Sequence, residues 1–303
     1  MRFCWLLKEV FYFGIRLSGI PLIVRHAVAR TRVSIMLYHY PRPEVLEKHL
    51  AYLSRHYNFV TIEQLSHALS QRKWGEVPPR ALLITIDDGR YCNALLGGVF
   101  KRYNVRPIIY LCTRIVASHR AFWWFQVPNR RASELKQLPH FDRLVALERD
   151  TGYTPDRDYC EKRPDGLSKD EITAMAEWAD FGSHTRYHPI LTTCDGKTCA
   201  DEIIIAKAEL ERLTGKPCRH FAYPNGDYSE RELELVRRAG YTTARAVDVG
   251  WTSVRSDPFR LRVTRASDDA SVNALIAQVC GLPQWLRLVV RGRFNGRKPS
   301  IRI

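Results

Sequence analysis

Short apolar runs alternate with amphipathic stretches along most of the chain. Val33–Tyr38 and Ala81–Ile86 are largely apolar, which is typical of parallel strands that are buried on both faces. Val45–Tyr57 lies between them and repeats leucine at helical spacing, so it predicts a helix with one face on the core. A strand, a helix and a further strand in succession indicate an α/β fold with a parallel sheet.

The alternation continues to the last part of the chain with one interruption. Residues 114–166 combine tryptophans, prolines and many charges without a regular period, so they predict an insertion over one face of the fold. The main domain is therefore expected at residues 33–281, between a basic amphipathic segment (1–32) and a basic tail (282–303). Further strands are predicted at Pro107–Leu111, His220–Ala222, Tyr241–Ala246 and Arg260–Val263, and one more strand ends at Gly182. Helices are predicted at Asp201–Leu213, Glu230–Ala239 and Val272–Cys280, and two more helices end near Tyr103 and Ala179.

The formal net charge of +15 is concentrated at the two ends. Residues 1–34 hold six Lys or Arg against one acid, and residues 284–303 hold six with no acid. In the first segment the charges interleave with aromatic and aliphatic residues, and no apolar run is long enough to span a bilayer. The segment predicts either a helix that lies in the plane of an anionic membrane or one that packs on the fold. No nucleic-acid-binding motif accompanies the charge, so no nucleic-acid partner is expected.

The eight cysteines are scattered, and none forms a C-x-x-C pair. That usage predicts reduced, buried thiols. Because no export signal precedes the domain, we expect a cytoplasmic protein, peripheral on the inner face of a membrane if the basic ends bind lipid. Cys194 and Cys199 would form a disulfide only in an exported protein.

An acidic pair follows the apolar run that ends at Ile86. Asp87 and Asp88 leave the strand in succession, and Gly89 permits a tight turn. Adjacent carboxylates at a strand end point in different directions, so one can bind a metal while the other acts as a base toward water. A helix cap would explain a single Asp here, but it explains two adjacent Asp residues less well.

Two histidines follow the strand that ends at Gly182. His184 and His188 have the i, i+4 spacing that places two imidazoles on one side of a helical turn. In parallel α/β folds, chemistry gathers at the carboxyl ends of strands, so these histidines and Asp88 are expected to meet. Two imidazoles and one carboxylate with open positions are typical of a hydrolytic zinc site.

Three segments resemble the motifs of the polysaccharide deacetylases (carbohydrate esterase family 4, with the NodB homology domain). They are Leu83–Gly89, Ser183–His188 and Phe221–Gly226, and they occur in the family's order. The resemblance covers roughly residues 33–280 and implies a distorted (β/α)7 barrel that holds a divalent metal, usually zinc. It implies that Asp87 is the catalytic base, that Asp88, His184 and His188 bind the metal, and that the turn of Tyr223, Pro224 and Asn225 forms the pocket, with the Asn225 backbone N–H facing the oxyanion.

The chain departs from the family pattern at two places. Ala222 stands where the third motif usually has an arginine, so Arg260 or Arg262 is put forward as the partner of the base. The late Leu-x-His motif, the usual source of the general acid, is absent. His39 follows Tyr38 at the end of the first strand, and this pair resembles the branch that deacetylates biofilm poly-N-acetylglucosamine, which makes His39 the candidate acid. The other interpretation of His39 is a histidine with a structural hydrogen bond.

These patterns predict a hydrolase that removes N-acetyl groups from the sugars of a polysaccharide or a lipid-linked glycan. Two alternatives stay open at the level of sequence. The same metal and base would also serve hydrolysis of another non-peptide C–N bond, such as an N-formyl sugar or a cyclic amide. The missing arginine and late histidine are compatible with a non-catalytic glycan-assembly protein that keeps a degenerate barrel.

Overall fold

The computed structural model describes residues 2–159 and 163–282. Its eight strands form one sheet in the order β1-β8-β7-β6-β5-β4-β3-β2, and β1 also pairs with β3. Seven strands therefore close on themselves, and β2 is added outside this ring. The predicted fold class, a distorted (β/α)7 barrel, is confirmed. The strands are β1 (Val33–Tyr38), β2 (Asn58–Phe59), β3 (Ala81–Ile86), β4 (Ile108–Leu111), β5 (Asp180–Ser183), β6 (His220–Ala222), β7 (Thr243–Val249) and β8 (Leu261–Arg265).

Helices precede and connect the strands. They are α1 (Arg2–Leu17), α2 (Ile20–Ile23), α3 (Pro43–Leu53), α4 (Ile62–Ser70), α5 (Gly97–Arg102), α6 (Asn129–Leu135), α7 (His140–Thr151), α8 (Lys169–Met175), α9 (Gly196–Thr214), α10 (Glu230–Arg238) and α11 (Val272–Val279). A π-helical turn covers Val24–Val28, and the longest of the short 3₁₀ segments is Tyr91–Leu96.

Contacts between α-carbons group the chain into two compact units. Of the described residues, the first comprises 2–85, 98–107 and 247–282. In it every residue of β1 is buried, and β1 pairs in parallel with β8 through Met36 and Thr264. The sequence did not predict β2 or α4, although Thr61 and Gln64 form a capping box at the start of α4. β2 is too short to show a period.

Within the first unit, α1 packs on α11. Ile15 is buried, the Ser271 hydroxyl donates to Glu9 (2.6 Å), and Arg16 donates to Asn273 (3.0 Å). The predicted interpretation of this segment as a helix packed on the fold is therefore correct for one of its faces. Among the described residues, no helix combines the length and the apolar character needed to cross a bilayer.

Of the described residues, the second unit comprises 86–97, 108–159 and 163–246. Here β4, β5, β6 and β7 pair in parallel, with Leu111 opposite Ser183 and Phe221 opposite Ala244. Parallel pairing in register brings the carboxyl ends of these strands to one edge. The capping box predicted from Ser168 and Glu171 is present at the start of α8.

Residues 114–166, predicted as an insertion, contain α6, α7 and a 3₁₀ turn at Trp123–Phe125. This segment has a hydrophobic core of its own, made of Ala121, Trp123, Val127, Ala132, Leu135, Ala146, Leu147 and Tyr153. Six of the cysteines, Cys194 and Cys199 among them, are free thiols. The basic tail predicted from residue 282 onward lies outside the described residues apart from Leu282.

Candidate active site

The acidic pair lies in a left-handed turn at the end of β3. Asp87 and Asp88 are both buried, at 4% and 3% exposure. Asp88 and Gly89 have φ angles of 73° and 72°, a region that Asp tolerates and glycine adopts without strain. A Cβ at Gly89 would also collide with the Leu111 side chain. The turn therefore requires glycine, and it directs the two carboxylates to different partners.

The histidines lie in the loop that follows β5. The backbone N–H of His184 donates to the Leu111 carbonyl (2.9 Å), which ties this loop to the end of β4. The prediction of a helical turn from their spacing is wrong. Thr185 and His188 have φ angles of 67° and 57°, and the segment is a bent loop. The N–H of His188 instead donates to the Thr185 hydroxyl (3.1 Å). The loop still brings the two imidazoles together, with ring centroids 4.6 Å apart.

Asp88, His184 and His188 converge in the way that a metal site requires. Each offers one ligand atom, and the three atoms lie within 4.8 Å of one another. Oδ1 of Asp88 is 3.6 Å from Nε2 of His184 and 3.5 Å from Nε2 of His188. Two imidazoles and one carboxylate suit zinc and leave coordination positions open for water or substrate.

The protonation of His184 suits this role. Its Nδ1 donates to the Ala222 carbonyl (2.8 Å), because a carbonyl oxygen can only accept, so the Nε2 lone pair faces the carboxylates. Burial lowers the pKa of His184, although the charges of Asp87 and Asp88 oppose that shift. The ring is therefore neutral near pH 7 and able to bind a cation. The residues present fit a divalent metal.

Asp87 is held by a buried arginine. Nη2 of Arg245, a fully buried side chain of β7, lies 2.5 Å from both carboxylate oxygens of Asp87. Nη1 of Arg245 donates to the Ala246 carbonyl (3.2 Å), and the Tyr110 ring faces the guanidinium at 5.2 Å. The pair neutralises the charge of Asp87 and fixes its orientation.

The arginine beside Asp87 is thus Arg245, whereas the sequence pointed to Arg260 and Arg262. Arg260 pairs with Asp257 (3.6 Å), and Arg262 is exposed, with its side chain against Gly250. A signal for Arg245 was present in the sequence. It is a lone cation in the apolar run of β7, and a buried cation requires an anionic partner. Sequence alone does not identify that partner.

The turn after β6 contains the third predicted cluster. Tyr223 is buried, and its backbone N–H donates to the Arg245 carbonyl (3.0 Å). Asn225 has a φ angle of 57°, and the N–H of Gly226 closes the turn onto the Tyr223 carbonyl (2.9 Å). The Asn225 amide is fixed by Lys136 Nζ (2.9 Å) and by Asp227 (2.6 Å). Ala222, just before this turn, accepts from His184, so the two clusters are directly linked.

His39, the candidate acid, belongs to the first unit. It is half-buried, and its backbone N–H and that of Tyr40 donate to the two oxygens of Asp268 (3.0 and 3.3 Å). These bonds fix the backbone after β1. The role of the His39 side chain stays a prediction.

Glu202 of α9 supports the histidine loop from behind. Its Oε2 accepts the backbone N–H groups of Arg186 (2.8 Å) and Tyr187 (3.1 Å), two residues between the histidines. Burial raises the pKa of Glu202 to about 7, although these two donors oppose the shift. The sequence did not single out Glu202, because only folding places α9 behind this loop.

Comparison with known proteins relates the chain to one family. A family model described as polysaccharide deacetylase matches residues 75–244, more than half of the chain. A search of the curated proteins gives no matching sequence.

Solved structures share the fold. The deacetylase PplD of Streptococcus pyogenes, determined in complex with acetate, is 16% identical over 82% of this chain and 98% of PplD, with a TM-score of 0.61. IcaB of Ammonifex degensii is 17% identical over 84% of this chain and 97% of its own, with a TM-score of 0.58. A de-N-acetylase from Aggregatibacter actinomycetemcomitans is 14% identical over 82% of this chain and 99% of its own, with a TM-score of 0.57.

Replacing Glu202 by Gln tests its buried carboxyl. Since the pKa of Glu202 is raised in the folded state, that state binds more protons than the unfolded chain between about pH 4.5 and 7. From pH 5 to pH 8, the free energy of unfolding of the wild type should therefore fall by about 2–3 kcal/mol more than that of Glu202→Gln does. Urea unfolding of metal-free protein measures this difference, with Glu148→Gln on the exposed face of α7 as the control. A difference that does not change with pH would contradict the assignment.

Proposed function

Because the chain belongs to the polysaccharide deacetylase family, whose members hydrolyse non-peptide carbon–nitrogen bonds, we propose that it is a zinc-dependent enzyme that removes N-acetyl groups from N-acetylated sugars of a glycan. One observation carries the proposal. Three ligand atoms from Asp88, His184 and His188 converge, and a second buried carboxylate, Asp87, lies beside them with Oδ2 3.7 Å from Nε2 of His184. A metal ligand set with an adjacent carboxylate is what hydrolysis of an amide requires.

In this proposal Asp88, His184 and His188 hold the cation. When bound, the cation polarises the acetamide carbonyl and lowers the pKa of water. The Ala222 carbonyl fixes the tautomer of His184, and Glu202 holds the backbone between the two histidines. Protein groups therefore place the ligand atoms before the cation arrives, which reduces the reorganisation that binding requires.

Asp87 is proposed as the general base that takes the proton of the attacking water. Arg245 contacts both oxygens of this carboxylate, so the side chain cannot rotate away during proton transfer. As water adds to the carbonyl carbon, negative charge grows on the acetamide oxygen. The backbone N–H of Asn225, at the turn with Tyr223 and Pro224, is proposed to donate to that oxygen.

The C–N bond then breaks, and the sugar amine leaves with a proton while the acetyl group departs as acetate. His39 is proposed as the donor of that proton, on the resemblance of its Tyr-His pair to one branch of the family. Asp268 fixes the backbone at His39, which would limit the freedom of the ring.

Arg245 also bears on the non-catalytic alternative. That alternative depended on the absent late histidine and on the alanine at position 222, where the family usually has arginine, and Arg245 bears on the second of these. A guanidinium reaches the carboxylate of Asp87 from β7 instead, so the charge of the base is compensated in this chain by a residue from a different strand. A degenerate site would not need to retain a buried Asp–Arg pair, which is costly to keep unless both partners are present.

The Asp87→Asn variant tests the proposal. We expect the wild type to contain zinc and to release acetate from N-acetylglucosamine oligomers, and the variant to retain zinc while kcat falls about 10²–10⁴-fold through loss of the base. Metal analysis and enzymatic acetate detection measure both quantities. Asp170→Asn, at the exposed start of α8, is the matched control and should keep full activity. Undiminished acetate release by Asp87→Asn would refute the role of Asp87, and wild type without bound metal or activity would refute the proposal.

His39→Ala separates proton donation to the leaving group from the other steps. The variant should lose at least about 10²-fold in acetate release from sugar amides, since an amine leaves poorly without a proton. It should hydrolyse 4-nitrophenyl acetate nearly as fast as the wild type, because nitrophenolate leaves without one. His67→Ala, exposed on α4, is the control. Equal losses on both substrates would show that His39 is not the acid.

We further propose that the substrate is met at an anionic membrane surface, on the cytoplasmic side. Nine large apolar residues are exposed along α1 and α2. They are Leu6, Leu7, Val10, Phe11, Phe13, Leu17, Ile20, Leu22 and Ile23. Lys8, Arg16 and Arg30 are exposed along the same segment. Nine exposed apolar side chains in one short segment with basic neighbours suit in-plane contact with anionic lipid, where a lipid-linked glycan would be available.

Sedimentation with vesicles of phosphatidylglycerol and phosphatidylcholine tests the membrane proposal. The wild type should bind in 0.1 M salt and bind less in 0.5 M salt, because screening weakens the contribution of the basic residues. The double substitution Leu7→Ser and Phe11→Ser should lower the partition coefficient by at least about tenfold, since both side chains would lose their apolar contact. Phe141→Ser, at an apolar residue of α7 that is 74% exposed, is the control. Wild type that stays in the supernatant at 0.1 M salt would exclude this surface.

A further inference from the structure

Two tryptophans of the insertion contact His188, one of the three proposed metal ligands. Trp123 and Trp124 lie in the 3₁₀ turn Trp123–Phe125, between β4 and α6. The ring centroids of Trp124 and His188 are 4.5 Å apart, and the ring planes are inclined at 60°. Nε1 of Trp123 donates to the backbone carbonyl of His188 (3.4 Å). The insertion therefore contacts both the side chain and the backbone of this histidine.

The conformation of His188 requires such support. Its φ angle of 57° is left-handed, and in a residue other than glycine this conformation persists only where the surroundings determine it. His184 directly follows β5 and is oriented by the Ala222 carbonyl (2.8 Å), whereas His188 lies farther along the bent loop. Strand pairing therefore places His184 more directly than His188, whose position depends on packing with its neighbours.

Trp124 is itself held in place by the core beside β4. Its ring packs on that of Phe122, with centroids 4.7 Å apart. Phe122 is fully buried in a cluster with Cys112 and Ile115, and its backbone N–H donates to Asp165 (3.0 Å). A large ring fixed in this way has little conformational freedom, so it provides a firm surface for the imidazole that it contacts.

These contacts hold the His188 imidazole near the other ligands. Its ring also contacts that of His184, with centroids 4.6 Å apart, and its Nε2 lies 3.5 Å from Oδ1 of Asp88. Rotation about the side-chain torsions of His188 would move Nε2 away from Asp88. Contact with the Trp124 and His184 rings restricts that rotation, so the ligand is ordered on folding and before a cation binds.

We propose that Trp124 is a positioning residue for the His188 ligand, and that the insertion thereby sets the affinity of the site for its divalent cation. The inference rests on the proposed metal site. It assigns a role to the insertion, which contains none of the three ligands and yet orders one of them. Without the Trp124 ring, Asp88 and His184 would still offer their ligand atoms, but the His188 imidazole would have to be ordered when the cation binds.

Zinc titration of the substrate-free, full-length protein tests the inference independently of acetate release. Metal-free protein competes for zinc with a chromophoric chelator of known affinity. Trp124→Ala should raise the zinc dissociation constant at least about tenfold, as removal of groups that orient metal ligands does. Trp124→Phe keeps an aromatic ring against the imidazole and should bind zinc within about threefold of the wild type.

Trp74→Ala is the matched control. Trp74 is also a partly buried tryptophan in a 3₁₀ turn, Trp74–Glu76, and its Nε1 donates to the Thr31 carbonyl (2.9 Å). This substitution removes an indole of the same kind from the first unit and should leave the zinc dissociation constant unchanged. Urea unfolding of the metal-free variants measures how much stability each substitution costs.

Cobalt(II) in place of zinc distinguishes positioning from a purely structural role. The d–d absorption bands report the coordination geometry, so they should change in Trp124→Ala and stay the same in Trp74→Ala. Trp124→Leu is a second variant that retains apolar bulk without a ring, and it decides the question if Trp124→Ala does not fold. It should also weaken zinc binding.

Two results would overturn this inference alone. They are zinc binding by the Trp124→Ala or Trp124→Leu variant that is as tight as that of the wild type, and an equal loss of affinity in Trp74→Ala, which would trace the effect to stability. Wild type that binds no zinc would overturn the proposed metal site as well, so the two failures are distinguishable.

Discussion

Two carboxylates buried side by side at the end of β3 are the constraint that organises the site. Asp87 and Asp88 are almost entirely removed from water, where neighbouring negative charges repel strongly and cannot both persist without compensation. The fold gives each a different partner. A guanidinium from β7 contacts Asp87, and two imidazoles from the loop after β5 face Asp88. This division of partners is what permits two adjacent and identical side chains to have the different roles that we propose.

Left-handed backbone is concentrated around these residues. Asp88, Thr185, His188 and Asn225 all have positive φ angles, and none is glycine. Each such residue costs free energy, so the conformation persists only where surrounding contacts determine it. Parallel strand pairing fixes the starting point of each loop. Glu202 and the Ala222 carbonyl then hold the histidine loop by hydrogen bonds, which makes α9 and β6 part of the site although neither carries a proposed ligand.

A further place in the molecule leaves a physical requirement unmet within the described chain. Nine large apolar side chains of α1 and α2 remain in contact with water. This exposure is unfavourable for an isolated chain. Lipid satisfies an apolar surface beside cations, which is the reason that a membrane is proposed as its partner.

The sequence by itself determined the elements and the groups that carry chemistry. The apolar runs of β1 and β3, the capping box of α8 and the Asp-Asp-Gly and two-histidine motifs follow from local order, because burial on both faces, cap chemistry and turn chemistry are read over a few residues. The convergence of Asp88, His184 and His188 was expected from the carboxyl ends of parallel strands, whereas the helical turn expected to pair the two imidazoles was wrong, since their loop is bent. Only the tertiary structure decided that Arg245 contacts Asp87 and that Glu202 supports the histidine loop. These depend on which residues of distant segments meet in space, and strand register and helix packing set that after the chain has folded.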